Sequence, residues 1–360
     1  MKPEQTTWSW ADPSTNMSMI EYFLNRKNSL RELTDSEFDH MVESFAEELS
    51  QMNYCYSYRN IELHNDWKEL CKYDTTFFRN SASTTRTGLK LCEHFFPNFF
   101  EIRNAKGQSF ANSWTKENLV KILKWNRKSH HTPYLSELRR GVYFCCGLTK
   151  NTMFRPHIAK TVCANFSKKT VLDPCCGWGG RMIGALAAGK YYIGFEPNGD
   201  TYQSLIRLAD FLNARSRVEI YNDGAENMTK YDFKNVDLIL TSPPYFNLEI
   251  YSESNLQSEN MFSSYDEWRD EWLKPVIRHS LDKLNNDGYS AWNVHNVGKM
   301  KMISDVEKIH KEYGYDVTSE ISLSSSKRQA NNHRQKNNDL TRVFYSTERK
   351  QKNAFLEIFS

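Results

Sequence analysis

The sequence has 360 residues, is 39% hydrophobic and 14% aromatic, and carries a formal net charge of +3. That composition excludes a disordered chain and allows one large or two modest domains. Eight cysteines with no Cys-x-x-Cys spacing, and no apolar run near the ~20 residues of a bilayer span, argue against a zinc framework, a disulfide scaffold and a membrane protein.

The chain opens Met1-Lys2-Pro3-Glu4-Gln5 into polar sequence, without the pattern of a signal peptide, so a soluble, intracellular (cytoplasmic) protein is expected. The small net charge hides an asymmetry. Residues 1–50 hold ten acidic against four basic side chains, whereas Arg103 to Lys160 holds twelve Lys/Arg and only Glu117 and Glu137 as acids. Such a distribution suits a polyanionic partner.

In the first 110 residues, Asp35 to Gln51 reads as an amphipathic helix with Phe38, Met41, Val42, Phe45 and Leu49 at helical spacing. Phe95 to Phe100 reads as a turn between core elements. Trp114 to Lys128 is a second helix, with Thr115 as its cap and Leu119, Ile122 and Leu123 as its apolar stripe. Its Lys121, Lys124, Arg127 and Lys128 point to phosphate contact, together with Arg139 and Arg140; a plain solvated face is the alternative. His130 and His131 stand apart from any cysteine or carboxylate pattern, and no metal site is expected.

Phe154-Arg155-Pro156 starts another helix. Thr170 to Asp173 is a short buried strand, followed by Pro174-Cys175-Cys176-Gly177-Trp178-Gly179-Gly180-Arg181 and a helix from Met182 to Ala188. Strand, glycine loop and helix form a general nucleotide-cofactor arrangement. The loop is not Gly-x-Gly-x-x-Gly and has no Gly-Lys-Ser/Thr ending, which weakens dinucleotide and ATP binding. Tyr191 to Glu196 is a second strand ending in a carboxylate placed to accept from a ribose diol. After the helix Thr201 to Leu212 and the strand Val218 to Tyr221, Asp223 either accepts from an adenine amino group or stabilises its own turn.

The apolar run Val236 to Leu240 then leads into Thr241-Ser242-Pro243-Pro244-Tyr245. Two prolines hold the backbone extended and donate nothing, so neighbouring carbonyls remain as acceptors at the strand's carboxyl end, with Tyr245 as an aromatic face. This suits a planar group with an exocyclic NH2; a strand-ending turn or polyproline contact is the plainer alternative. Asn247 to Ser264 reads as a loop, and Tyr265 to Leu284 as a helix interrupted near Pro275. Tyr289 to Val294 is a strand and Met302 to Tyr313 a helix. Val317 to Leu323 and Leu340 to Tyr345 read as a closing antiparallel pair. The segment between them carries Lys327, Arg328, Arg334 and Lys336, a cationic loop suited to nucleic acid.

Asp173 to Gly180, then Glu196, then Thr241 to Tyr245, resemble the S-adenosylmethionine-dependent DNA amino-methyltransferases, over roughly residues 150 to 346. The resemblance implies an α/β, Rossmann-like fold: a seven-stranded, mainly parallel sheet with a reversed last strand, plus a mostly helical N-terminal region at 1–150, a catalytic domain at 151–350 and a tail at 351–360. It implies S-adenosyl-L-methionine as cofactor, held by Phe154, Arg155, Asp173, Cys175, Gly177, Gly179, Glu196, Asp223 and Thr241. It also implies a base flipped from DNA onto Ser242, Pro243, Pro244 and Tyr245.

A Ser-Pro-Pro-Tyr loop resembles the cytosine-N4 branch of the family, with adenine N6, RNA, a protein glutamine amide, or a non-catalytic binding role as alternatives. A companion restriction nuclease is a partner that the resemblance admits. Cys175 follows the cofactor strand rather than the catalytic loop, which argues against a cysteine nucleophile.

Overall fold

The structure, a computed structural model, describes residues 30–76, 85–104, 106–129, 132–148, 151–246, 249–250, 261–323 and 339–346. The chain divides into two compact units, Met1–Tyr54 with Gln108–Lys150 and Cys55–Gly107 with Asn151–Ser360. The division differs from a single break at residue 150. The reason is packing: Leu63, Leu70, Leu91, Cys92 and Phe96 join the core that holds Ile158, Val162 and Met182.

In the smaller unit, helix Asp35–Ser50 begins with a capping box: Thr34 accepts from the Glu37 amide while the Glu37 carboxylate accepts from that of Thr34. It buries Phe38, Val42, Phe45, Ala46 and Leu49. Helix Lys116–Lys128 starts on Thr115, which accepts from the Asn118 amide, and buries Leu119, Ile122 and Leu123. Helix Leu135–Cys145, not expected from the sequence, lies so close that a Cβ on Gly141 would meet Ile122 at 2.4 Å.

The larger unit contains β1 (Arg103–Asn104), β2 (Thr170–Asp173), β3 (Tyr191–Phe195), β4 (Val218–Tyr221) and β5 (Val236–Thr241). They are followed by β6 (Glu249–Ile250), β7 (Leu284–Val294), β8 (Tyr315–Leu323) and β9 (Asp339–Ser346). β1 and β6 form a small antiparallel ribbon. The main sheet runs β4-β3-β2-β5-β7-β9-β8. Its first five strands are parallel, and β9 enters antiparallel to both β7 and β8. This is a Rossmann-like α/β sheet with its last strand reversed.

Alternate residues feed two cores, as strand geometry requires. Val171, Tyr192, Leu238 and Leu240 face one; Leu172, Ile193 and Ile239 face the other, which also holds Trp268, Trp272, Ile277 and Phe344. Asp237 pins the start of β2 by accepting from the amides of Lys169 and Thr170, at 2.6 and 2.8 Å.

The sequence-predicted break near Pro275 proves to be a π-helical turn, Arg269–Leu273, between helices Tyr265–Trp268 and Lys274–Lys283. A wider turn accommodates a residue without an N–H. β7 starts at Leu284 rather than Tyr289, and helices Asn60–Lys72 and Leu89–Phe95 are additional. His130, His131, the 324–338 loop with Lys327, Arg328, Arg334 and Lys336, the 351–360 tail, and most of the Asn247 to Ser264 loop lie outside the described residues.

Candidate active site

β2 and β5 are adjacent, and the sheet grows outward from them in opposite directions, through β3 on one side and β7 on the other. The carboxyl ends of two such strands border the crevice where open α/β sheets bind ligands. The glycine loop leaves β2 there, and the Ser-Pro-Pro-Tyr segment leaves β5.

Asp173, the last residue of β2, is fully buried. It accepts from Thr241 Oγ1 at 2.8 Å, Tyr192 OH at 2.7 Å, Arg181 Nε at 2.7 Å and the Cys175 amide at 3.2 Å. The Thr241 bond ties together the strand ends from which the two loops leave. Arg181, 6% exposed, also donates to the carbonyls of Cys175 and Cys176, so one guanidinium holds the inner side of the glycine loop. Burial works against its charge, but Asp173 and Tyr192 outweigh that and raise its pKa.

The loop backbone is left-handed at Gly177 and Gly179, with φ of 54° and 70°. At Gly180 the helix comes so close to the preceding segment that a Cβ would stand 2.1 Å from the Phe154 carbonyl oxygen. Phe99 and Phe96 meet the Trp178 ring edge-on, at 5.4 and 6.2 Å. Both cysteine thiols of the loop have raised pKa values through burial and the nearby Asp173, which disfavours a thiolate at neutral pH.

Glu196 follows β3 and is 7% exposed. One carboxylate oxygen accepts from the Gly177 amide at 2.9 Å and the other from the Asn198 amide at 3.0 Å. Burial pushes its pKa up to about 7, against the pull of those two amides. Asp223, by contrast, is occupied in its own turn: it accepts from the Gly224 amide, Asn227 Nδ2 and Tyr231 OH at 2.8, 2.8 and 2.9 Å. Burial raises its pKa, but these three donors lower it further. The turn-stabilising alternative is therefore the one with visible bonds.

In the Ser-Pro-Pro-Tyr segment, Pro243 is buried and Ser242, Pro244 and Tyr245 are half-buried. The end of β7 supplies Asn293, whose Nδ2 lies 3.5 Å from Ser242 Oγ, and the next turn supplies His295, whose ring is 3.9 Å from that of Tyr245.

Asp173, Cys175 and Thr241 thus form one hydrogen-bonded group, and Glu196 with Gly177 a second on the same glycine loop, which also holds Gly179. Phe154 reaches that loop through its carbonyl and its ring, 5.3 Å from the Arg181 guanidinium. Arg155 turns away, donating to the Thr85 carbonyl at 2.8 Å. Residues that sequence reading missed are Arg181, Tyr192, Asn293 and His295. Asn293-x-His295 at a strand's carboxyl end was the available signal for the last two; nothing local marks Tyr192.

The expected phosphate contacts divide. Lys121, Lys124 and Lys128 are exposed. Arg127 is a brace, donating to the Leu30 and Leu33 carbonyls, pairing with Asp35 at 2.8 Å and covering Phe38. Arg139 is buried and donates to the Tyr54 carbonyl at 2.6 Å. Arg140 pairs with Glu137 at 3.1 Å. Long arginine stems satisfy carbonyls as readily as they reach phosphates, and that difference has no local sequence signature.

Among the described residues no helix is long and apolar enough to cross a membrane, and no cluster of three or more His, Cys, Asp or Glu could hold a metal.

No protein-family model and no curated protein matches the chain. Among solved structures, it is similar to an rRNA methylase from Streptococcus thermophilus (16% identity, 54% of this chain and 99% of that one, TM-score 0.35). It is also similar to SMU.1697c from Streptococcus mutans, described as a methyltransferase in complex with SAH (17% identity, 54% and 99%, TM-score 0.37). A third is an S-adenosylmethionine-dependent methyltransferase from Clostridium acetobutylicum (13% identity, 53% and 89%, TM-score 0.36).

Proposed function

We propose that the chain is an enzyme that transfers a methyl group from S-adenosylmethionine to the exocyclic amino group of a nucleic-acid base, cytosine N4 in DNA being preferred. The observation that carries this reading is the hydrogen bond from Thr241 to Asp173. It fastens a glycine loop suited to a cofactor beside a Ser-Pro-Pro-Tyr segment suited to a planar NH2. The residues present fit the cofactor: at left-handed Gly177 a Cβ would meet nothing nearer than 3.9 Å, so its main chain is open to a ligand, and a buried carboxylate stands at the end of the next strand. Gly177 to Gly180 and Glu196 would hold it, and bound there it supplies the electrophilic methyl.

The chain's own contribution is placement. An amino group conjugated to a ring is a weak nucleophile, because its lone pair is delocalised. The Ser242 region offers acceptors for its two N–H bonds, and Tyr245 offers a face for the ring. Accepting both hydrogens favours the pyramidal nitrogen that attacks, and a fixed ring aligns it. Ser242 is too weak a base to take the proton early, so it leaves late, to solvent. A companion restriction nuclease belongs to this reading as a further partner.

The test is purified protein with S-adenosylmethionine and unmodified DNA, digested to nucleosides and analysed by mass spectrometry. N4-methylcytosine supports the full reading. N6-methyladenine keeps the reaction and replaces the base. Neither product, with cofactor binding intact, overturns DNA as substrate and directs the same assay to RNA and protein amides. Loss of both product and cofactor binding overturns the reading.

A further inference from the structure

The helices Lys116–Lys128 and Leu135–Cys145 carry a surface that methyl transfer does not use. The rings of Trp125 and Phe144 stack, with centroids 5.6 Å apart and planes 16° from parallel. Phe144 is 69% exposed, so the pair presents an open aromatic face to solvent. The Arg140 guanidinium lies 5.3 Å from the Trp125 ring and 5.9 Å from the Phe144 ring, which holds a cation against the pair.

Lys121, Trp125 and Lys128 recur at i, i+4 and i+7 and therefore share one stripe of their helix. Lys121, Lys124 and Lys128 are exposed, and Lys124 and Lys128 make no ion pair among the described residues. An open aromatic face, one ring of which shares its helix with three exposed lysines, is complementary to one kind of group: a flat ring that carries a phosphate.

We propose that this surface binds an unpaired stretch of nucleic acid, one base stacking on Phe144 while Lys121, Lys124 and Lys128 take phosphates. The proposal rests on a nucleic acid being the substrate, and it adds that single-stranded segments are bound here in preference to duplex. Paired bases spend their faces on their neighbours and present only edges, whereas an unpaired base has a face free for an aromatic ring. The Arg140 pair with Glu137 fixes the guanidinium as part of the platform rather than as a phosphate clamp.

The experiment measures binding of fluorescein-labelled single-stranded DNA, and of the same sequence as duplex, to the full chain by anisotropy across a salt series. Phe144→Ala is expected to weaken single-strand binding about tenfold while leaving duplex binding within about twofold. Phe144→Trp is expected to restore it. Lys124→Glu is expected to flatten the dependence of log K on log salt by ~0.7, one single-strand phosphate contact.

Single-strand binding by Phe144→Ala equal to wild type, or an equal loss for duplex, overturns the platform. These outcomes leave the substrate class standing. A wild-type chain that binds S-adenosylmethionine but neither form of DNA overturns the platform and DNA as substrate together.

Discussion

Arg181 in the larger unit and Lys124 in the smaller one carry the same charge under opposite conditions. Arg181 is buried, and its donors are committed to Asp173 and to the carbonyls of Cys175 and Cys176. Lys124 is exposed and unpaired among the described residues. A desolvated charge has one acceptable geometry, so it fixes the backbone around it. A solvated charge has many, so it contributes to a field in which neighbours substitute for one another. The first kind builds a site; the second attracts a partner to a surface.

Breaking the buried pair has the largest expected effect. Arg181→Met leaves the Asp173 carboxylate without its cation and should cost about 3–5 kcal/mol in urea unfolding, with cofactor affinity lost alongside. A cost below about 1 kcal/mol would place Arg181 with the surface cations.

Glu196 sharpens the comparison from the anionic side. Its folded-state pKa of about 7 lies above the ordinary 4.5, so between those values the folded protein holds a proton that the unfolded chain has released. Its contribution to stability is therefore complete below about 4.5 and lost as pH rises through about 7. If Glu196 holds the cofactor's ribose as proposed, cofactor affinity should run the other way, rising through about 7 as the carboxylate becomes a stronger acceptor for the ribose hydroxyls. Glu196→Gln should bind S-adenosylmethionine about 10–100-fold more weakly above that pH, and both pH dependences should flatten. Isothermal titration and thermal melts across pH read the two effects.

Tyr245→Ala removes an aromatic face rather than a charge. Substrate affinity should fall about tenfold with cofactor affinity unchanged, as read by KM and direct binding. Lys124→Ala has the smallest expected effect: stability should change by no more than ~0.5 kcal/mol and nucleic-acid affinity only a few-fold, with a shallower salt dependence. A large loss from this single lysine would make it a fixed contact and remove the contrast with Arg181.

What sequence reading could reach follows the same line. β2 and β4 have the predicted bounds because short apolar runs between turn residues specify themselves locally. The cap at Thr115 and the glycine loop are also local. Helix Asn60–Lys72 was missed because its sequence is mostly polar and only Leu63, Asp66 and Leu70 are buried. Helix Leu135–Cys145 was missed because Arg139 and Gly141 interrupt its apolar stripe, and the reasons for both are tertiary: the Tyr54 carbonyl and the close approach to Ile122.

At the candidate site, the two motif segments stand out in the sequence, whereas the partners that sheet pairing brings to them, Tyr192 and Asn293, do not. Tyr192 reads as one more strand aromatic until β3 lies beside β2 and brings its hydroxyl to Asp173. Arg127 and Arg139 read as phosphate ligands because a basic run looks alike whether its guanidinium groups face solvent or carbonyls.

The reversed strand has a consequence for how the chain is made. Among the described residues, β8 pairs in the sheet with β9 alone, and β9, which separates it from β7, is synthesised after it. On the ribosome the five parallel strands can assemble while β7 shows an open hydrogen-bonding edge, and that edge closes only when residues 339–346 emerge and slide between β7 and β8. A nascent chain arrested before residue 339 should therefore recruit holdase chaperones that the same chain, arrested well beyond residue 346, no longer needs.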